Sequence, residues 1–187
     1  MGGTVILLSF LIGLWLGHPI ERAVKPLVIG LIIMYFVGII DDIYDLKPIL
    51  KLIGQIIAAS VVVFYGITID FISFPIGPTI HFGILSIPIT IIWIVAITNA
   101  INLIDGLDGL ASGVSVIGLT TIGFIAILQG NVFIIMICSL LIGALLGFLF
   151  FNFHPASIFL GDSGALMIGF ITCLLYTSDA ADDLLCV

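Results

Sequence analysis

The sequence predicts an all-α protein, a polytopic bundle of about seven transmembrane helices. Apolar residues make up 62% of the 187 positions and charged residues 8%, and the mean hydropathy is +1.46. This is more apolar surface than one soluble core of this size can bury. Residues 52–69, 71–104 and 109–161 contain no Asp, Glu, Lys or Arg. Uncharged apolar stretches of that length are typical of membrane spans.

The apolar runs mark the predicted helices in chain order. Inside a bilayer a span is a helix unless a barrel closes, because its backbone polar groups have no other partners. The second predicted span is about 22 Å long and therefore places Asp41 and Asp42 at or slightly inside the membrane boundary. Residues 70–83, with Pro75 and Pro78, are predicted as an exposed hairpin or an interfacial loop. The predicted spans cover residues 4–16, 26–40, 52–69, 84–104, 110–128 and 132–153, with a seventh beginning at Ala165.

The predicted domain organisation is one membrane domain over residues 1–172 that is incomplete at both ends. From Cys173 onward the composition changes abruptly in the middle of an apolar run, and residues 173–187 resemble a translated sequencing-library adapter. We therefore predict a non-native tail, with a genuine acidic tail as the alternative. Three acids of this tail are left out of any site: Asp179, Asp182 and Asp183.

Three acidic segments are predicted to meet on one face of the bundle. From Asp41 the chain crosses the membrane twice before it reaches Asp105, and twice more before it reaches Asp162. Carboxylates at membrane depth are costly, so residues of this kind indicate a functional site. The three segments therefore predict one site at one rim of the bundle.

The basic residues are too few to bind nucleic acid. Eleven acids and four bases give a formal net charge of -7, and four bases cannot form a phosphate-neutralising stripe. An anionic ligand would therefore arrive with a metal ion. The bases do not orient the bundle by the positive-inside rule, because they divide evenly between the two faces. Lys47 and Lys51 lie with the acids, and Arg22 and Lys25 lie opposite.

The first acidic segment, residues 38–55, carries Asp41 and Asp42 at the end of a predicted helix. Adjacent carboxylates there oppose the helix dipole and repel each other, so a cation or a proton is expected to compensate them. A pair of solvated loop acids balanced by Lys47 and Lys51 is the alternative. Lys51 itself either extends to headgroups or holds a lipid phosphate, and the sequence leaves both open.

The second segment, residues 99–110, has Asn99, Asn102 and Asp105 at a spacing of three. Residues so spaced share one helical face, and Asp108 continues that face if the helix persists. Amide and carboxylate oxygens in this arrangement suit Mg²⁺. A plain interhelical turn explains the Gly-Asp pattern but not the two asparagines.

The third segment, residues 151–165, places Asp162 and Ser163 just before an apolar run. Either residue is a natural N-cap for the following helix. The same helix start is also able to bind phosphate directly, or through a metal held by Asp162. Phe159 either stacks on a flat ring or anchors the loop at the interface.

Together these segments resemble those of the polyprenyl-phosphate N-acetylhexosamine-1-phosphate transferases. The resemblance rests on GIIDDIYDLKPILKLIGQ, NAINLIDGLDGLASG and FNFHPASIFLGDSGALMIGF, in this order, and covers residues 1–172. Ile104 makes the second segment more similar to the N-acetylglucosamine branch than to the muramoyl-pentapeptide branch. The resemblance implies transfer of a sugar-1-phosphate from a UDP-sugar to undecaprenyl phosphate. The resemblance also implies release of UMP, with Mg²⁺ as cofactor, at the cytoplasmic face of the bacterial plasma membrane, as the initiating step of cell-wall or surface polysaccharide synthesis.

The resemblance also implies metal and catalytic roles. Asp162 would coordinate Mg²⁺ with help from Asn102, and Asp41 and Asp42 would act at the lipid phosphate. These two and Asp105 form the expected catalytic set. One carboxylate would either deprotonate the lipid phosphate for direct attack or itself attack the diphosphate, which would form a covalent intermediate.

Substrate-binding roles follow from the same resemblance. Phe159 would stack on uracil, whereas Asp105, Asp108 and Asn152 would line the nucleotide-sugar pocket. Asn102 and Lys51 are further expected contacts to the substrates. A homodimer is a possible assembly. Because relatives have further segments at both ends, we expect the 187-residue polypeptide to be inactive or nearly so.

Two other functions fit part of the pattern. Residues 41–45 match the DDxxD motif with which prenyltransferases hold a diphosphate through Mg²⁺, but a second motif of that form is missing. An ion-coupled transporter would use the acids as a cation path. Transporters place such acids near the midplane, often in duplicated halves, whereas here the acids lie at span ends.

Overall fold

The structure is a computed structural model that describes residues 2–19, 23–72 and 79–182, with side chains through Thr177. The described residues form seven α-helices. A short 3₁₀ turn, Gly83–Leu85, leads into the fourth helix. The helices are α1 (Gly2–Gly17), α2 (Val24–Tyr44), α3 (Pro48–Phe64), α4 (Ser86–Ile104), α5 (Leu110–Gln129), α6 (Val132–Asn152) and α7 (Gly161–Asp182). The predicted all-α architecture is confirmed. Arg22, predicted on the face opposite the acids, lies outside the described residues.

Four helices are long and apolar enough to cross a membrane. They are Val24–Tyr44, Gly83–Ile104, Leu110–Gln129 and Val132–Asn152. Three shorter apolar helices accompany them: Gly2–Gly17, Pro48–Phe64 and Gly161–Thr177. Large apolar side chains such as Ile92, Leu128 and Phe150 point outward. Outward apolar side chains are favourable in lipid, so this surface is that of a membrane-spanning bundle.

The structure moves four predicted helix boundaries by four or five residues. Helix α3 begins at Pro48 rather than at residue 52, and α7 begins at Gly161 rather than at Ala165. Helix α2 runs through Asp41 and Asp42 to Tyr44 rather than ending at residue 40, and Asp45 caps it in a left-handed conformation with φ of 49°. The helix tolerates the two carboxylates because partners from other helices satisfy them, as described below. Helix α3 ends at Phe64, five residues before the predicted end at 69.

The hairpin predicted between α3 and α4 is present as a two-residue antiparallel pairing. Strand β1 (Phe71–Ile72) pairs with β2 (Ile80–His81), with Phe71 opposite His81. The side chain of Asp70 accepts a hydrogen bond of 2.6 Å from Ser86 Oγ at the start of α4. Pro75 and Pro78 lie outside the described residues.

Helix α7 is the central helix of the bundle. It packs against α1, α2, α4 and α5, and from Ala165 to Leu175 most of its side chains are inaccessible. Beyond Cys173 the helix continues through Asp182, and the non-native origin of residues 173–187 stays a prediction. Asp183 and the side chains of Asp179 and Asp182 lie outside the described residues. The central position of α7 fixes where its first turn lies.

The first turn of α7 contacts two other helices through glycines. A Cβ on Gly38 of α2 would lie 2.3 Å from Ser163 Cα, and a Cβ on Gly3 of α1 would lie 2.5 Å from Gly164 N. Any side chain at Gly38 or Gly3 would therefore force the helices apart. Without side chains at these positions, α1 and α2 approach the start of α7 backbone to backbone.

Candidate active site

Four helix ends meet at one rim of the bundle and surround a polar cleft. They are the C-terminal ends of α2 and α4 and the N-terminal ends of α3 and α7. The cleft has a volume of about 610 Å³. The structure thus brings together acidic segments that are far apart in the chain, as the count of crossings predicts. The cleft is lined by Asp41, Asp45, Leu46, Pro48, Lys51, Leu52, Asn99, Asn102 and Asp162.

The ammonium group of Lys51 lies at the centre of this cleft, among three oxygens. Lys51 Nζ is 2.7 Å from Asp41 Oδ2, 2.9 Å from Asp162 Oδ1 and 3.0 Å from Asn102 Oδ1. The amide of Asn102 also donates to Asp162 Oδ1. We call these three oxygens and the ammonium the oxygen cradle. Its carboxylates carry more negative charge than the one ammonium neutralises.

The two oxygens of Asp41 have different partners. Oδ2 faces Lys51, while Oδ1 accepts a hydrogen bond of 2.8 Å from the backbone N–H of Leu46. The Asp41 side chain is 7% exposed and that of Lys51 is 16% exposed. Burial strengthens such an ion pair, because little water competes for either group. Asp41 is therefore the carboxylate of the Asp41-Asp42 pair that faces the cleft.

Asp42 turns away from Asp41 and caps helix α7. Its Oδ1 accepts the N–H of Asp162 at 2.8 Å, and its Oδ2 accepts the N–H and the hydroxyl of Ser163 at 3.2 Å and 2.7 Å. The alternative that Asp162 or Ser163 itself caps the helix does not hold, since both lie inside its first turn. Direct phosphate binding at this helix start would have to displace Asp42.

Asn99 and Asn102, predicted to share a face of α4, both contact α3. Asn99 forms a reciprocal amide pair with Gln55, at 2.6 Å and 3.2 Å, while Asn102 contacts Lys51. Gln55 had no predicted role. Its spacing of four from Lys51 places both on one face of α3 and is the signal that could have found it.

Asp105 lies directly after α4, beside the start of α7. Burial, with further contributions from the negative charges of Asp162 and Asp42, raises the pKa of Asp105 to about 6. The backbone N–H of Gly161 lies beside its carboxylate and favours the charged form, but this effect is the smaller one. A carboxyl group with that pKa exchanges its proton near neutral pH, which is the property expected of a general acid or base.

Asp105, like Asp108, Asn152 and Phe159, lies outside the set of described residues that line the cleft. Asp108 Oδ2 accepts the N–H of Ala156 at 3.1 Å and lies 3.0 Å from His154 Nδ1. The Ala156 amide first, and His154 second, hold the pKa of Asp108 below its usual range. No local sequence signal links His154 to Asp108.

Asn152 is buried at the junction between α5, α6 and the loop that leads to α7. Its Oδ1 accepts hydrogen bonds of 3.2 Å from Gly109 N–H and from Ser112 Oγ, and its Nδ2 donates to Ile158 O at 3.0 Å. The nearby Phe159 ring is 67% exposed, so it is free to stack on a flat ligand. The substrate-binding roles of these residues stay predictions.

Comparison with known proteins adds a family and several relatives. Residues 25–178 match the model of the family described as "Glycosyl transferase family 4". The chain is 44% identical over 177 residues to a probable undecaprenyl-phosphate N-acetylglucosaminyl 1-phosphate transferase of Bacillus subtilis, covering 94% of this chain and 49% of the relative. It is 38% and 37% identical to phospho-N-acetylmuramoyl-pentapeptide-transferases of Streptococcus uberis and Lactobacillus helveticus, covering 90% of this chain and 56% and 57% of those relatives. The chain spans about half the length of these relatives.

Proposed function

Because this chain belongs to glycosyl transferase family 4, we propose that it carries the acidic cleft of a sugar-1-phosphate transferase. The donor is UDP-N-acetylglucosamine, the acceptor is undecaprenyl phosphate and the released product is UMP. The relative from Bacillus subtilis, named for that activity, supports the N-acetylglucosamine branch. Family membership leaves the prenyltransferase and transporter interpretations without support.

The observation that carries this proposal is the oxygen cradle at the rim of a membrane-spanning bundle. Asp41 is buried and Lys51 half-buried there, where α2 ends and α3 begins. An isoprenoid chain stays in the bilayer, while its phosphate has to meet a water-soluble nucleotide. A polar cleft at a span end is the place where both reactants have access.

The cradle has the donor chemistry of a Mg²⁺ site. Asp41, Asn102 and Asp162 supply hard oxygen donors, the ligands that Mg²⁺ prefers, and they already surround a cation, the Lys51 ammonium. Among the described residues no group of three His, Cys, Asp or Glu side chains is arranged to hold a metal ion, so the proposed site depends on the Asn102 amide and on phosphate oxygens of the substrate for its remaining ligands. Bound Mg²⁺ would neutralise diphosphate charge.

The proposed transfer forms one phosphorus–oxygen bond and breaks another. An oxygen of the lipid phosphate bonds to the phosphorus that carries the sugar, and the bond from this phosphorus to the bridging oxygen breaks, which releases UMP. Lys51 is placed to hold phosphate oxygens once they enter the cleft. Asp41 or Asp105 would take a proton from the lipid phosphate, or Asp41 would attack the phosphorus first and be displaced by the lipid.

We place the cleft at the cytoplasmic face, because UDP-sugars are made and used there. Accessibility of a cysteine introduced at Asp45 to a membrane-impermeant reagent, in intact and in permeabilised cells, tests this orientation. Labelling that already occurs in intact cells would contradict it. The homodimer stays a prediction.

Isotope exchange tests the reaction. Since the chain spans about half of its relatives, the assay uses a chimera in which residues 1–172 replace the matching part of the Bacillus relative. Radiolabelled UMP should enter UDP-N-acetylglucosamine only with undecaprenyl phosphate and Mg²⁺ present. Exchange into UDP-N-acetylmuramoyl-pentapeptide instead would assign the other branch, exchange without lipid would show a covalent intermediate, and no exchange into either nucleotide would refute the proposal. The 187-residue chain, assayed in parallel, tests the prediction that it is inactive.

A further inference from the structure

The neighbouring carboxylates of Asp41 and Asp42 face different parts of the molecule. Consecutive residues on a helix point about 100° apart, so only one of them faces the cleft. Asp41 contacts Lys51 there, whereas Asp42 contacts the first turn of α7 and is not among the described residues that line the cleft. The two adjacent aspartates therefore have different structural roles.

We propose that Asp42 is a positioning residue: it fixes the first turn of α7 and thereby holds the carboxylate of Asp162 in its place in the oxygen cradle. This inference rests on the proposed function only for the use to which Asp162 is put. It replaces the expectation that Asp42 acts at the lipid phosphate.

Both oxygens of Asp42 are committed to α7. Two backbone N–H groups and the hydroxyl of Ser163 donate to them, at 2.7 to 3.2 Å. The first N–H groups of a helix lack partners within it, and a carboxylate there also faces the positive end of the helix dipole. Using Asp42 as a base or nucleophile would strip these donors of their partner at a half-buried site, which is costly.

The backbone around this contact is shaped to allow it. Gly161 has a φ of +75°, which favours glycine, and a Cβ there would lie 3.0 Å from Asp42 Oδ2. Gly38, one turn before Asp42 on α2, lets the two helices touch at Ser163. Both glycines keep Asp42 within hydrogen-bond distance of α7.

Asp162 is then held from two sides. Its backbone N–H is fixed by Asp42, and its Oδ1 by Lys51 and Asn102. Loss of the first contact would let the turn shift, even though Asp162 itself is unchanged. The expected result is a weaker cation site with its full set of donors still present.

The test compares Asp42→Asn with Asp42→Ala. Asparagine keeps one of the two acceptor oxygens that Asp42 offers to α7 and turns the other into a donor, whereas alanine keeps neither acceptor. Positioning therefore predicts that Asp42→Asn rescues part of what Asp42→Ala loses. A reacting carboxylate predicts equal loss in both, because neither residue transfers a proton or attacks phosphorus.

The first readout is hydrogen exchange of the backbone amides at positions 161–165, measured on the 187-residue chain in detergent. We expect amide hydrogen exchange about five- to thirtyfold faster in Asp42→Ala than in the unchanged chain, with the rate in Asp42→Asn between the two. Ser163→Ala, which removes only the hydroxyl donor, should lie between them. Unchanged exchange in Asp42→Ala would overturn the inference, whatever reaction the protein catalyses.

The second readout is binding of Mn²⁺, a spectroscopic substitute for Mg²⁺, followed by electron paramagnetic resonance. Asp42→Ala should weaken Mn²⁺ binding about tenfold, and Asp42→Asn by a smaller factor. Gly161→Ala, which disturbs the same turn and removes no carboxylate, should also weaken Mn²⁺ binding.

In the UMP isotope-exchange assay with the chimera, the variants should rank in the same order. Equal loss of isotope exchange in Asp42→Asn and Asp42→Ala, with Mn²⁺ binding intact, would make Asp42 a catalytic residue instead. Absence of isotope exchange in the unmutated chimera would count against the proposed function and leave the amide result standing.

Discussion

The oxygen cradle and the junction around Asn152 contain the same residue types and differ in what those residues contact. In the cradle two carboxylates and an amide surround one ammonium, beside an open cleft. At the junction Asn152 and Asp108 are matched mainly with backbone groups of the adjoining loops. The cradle has excess negative charge and space for a ligand. At the junction, the polar side chains already have hydrogen-bond partners within the protein. Asp and Asn in a motif therefore mark either chemistry or scaffolding, and their partners decide which.

Replacing Asp162 by Asn should have the largest effect and tests the cradle directly. The substitution keeps the size of the side chain and removes the charge on which a bound cation depends. We expect UMP exchange by the chimera to fall about 10³-fold and Mn²⁺ binding by the chain to be lost. Asp70→Asn is the matched control, since that carboxylate lies at the hairpin. Similar losses from both variants would deny the cradle any special role.

Replacing Lys51 by Met should separate charge balance from folding. Two partly buried carboxylates would then lose their cation, so we expect about 2 kcal/mol of lost stability, below the range for fully buried pairs because both groups keep some water. MgCl₂ should raise the apparent unfolding temperature more in Lys51→Met than in the unchanged chain, because a metal would no longer compete with the ammonium. Equal stabilisation of both proteins would show that Mg²⁺ binds elsewhere.

Asn152→Ala should act on the junction alone. The buried partners of its amide, Gly109 N–H and Ile158 O, would be left without it, which costs about 1–3 kcal/mol. Thermal unfolding should show that loss while the affinity of the cleft for Mn²⁺ stays within twofold of the starting value. Asn102→Ala is the counterpart and should reverse this pattern. A large drop in Mn²⁺ affinity for Asn152→Ala would show that the two regions are coupled.

The smallest expected effect on stability lies at Asp105, which follows α4 beside the start of α7. Its raised pKa means that the folded chain holds a proton that the unfolded chain releases, so the contribution of Asp105 to stability is lost as pH rises through about 6. Asp105→Asn should therefore be more stable than the unchanged chain at pH 8, by about 1 kcal/mol after allowance for its partial exposure. The difference should shrink as the pH falls toward 4.

Asp108→Asn provides the opposite sign. The lowered pKa of Asp108 stabilises the fold above the usual carboxyl range, so this variant should be less stable than the unchanged chain at pH 8. Unfolding temperatures of both variants across this pH range test the pair of predictions. If both variants shifted the unfolding temperature in the same direction at pH 8, the assigned environments would be wrong.

The meeting of Asp41, Asn102 and Asp162 was predictable, because an even number of crossings returns the chain to the same face. The division of labour between Asp41 and Asp42 was not. It depends on the rotation of α2 against α7, which hydrophobic periodicity does not fix to within one residue. For the same reason α2 was predicted to end at its first charge, although partners from α3 and α7 allow it to continue to Tyr44.

Contacts between loops could not be predicted from the sequence either. Asp108 and His154 are 46 residues apart, and neither motif contains a feature that points to the other. The roles of Asp108, Asn152 and Phe159 were assigned from a family resemblance. The structure adds that Asn152 is enclosed by protein groups, whereas Phe159 is open.

The close approach of α1 and α2 to α7 has a consequence for how substitutions in this protein are interpreted. Gly3 and Gly38 have no side chain with which to touch a substrate, yet added atoms at either would push the first turn of α7 off its neighbours. A saturation scan should therefore find these two positions as intolerant as Asp162. Positions that tolerate no substitution in this protein thus indicate close helix packing as well as chemistry. A map of inactivating variants would therefore include residues well away from the cleft where the reactants bind.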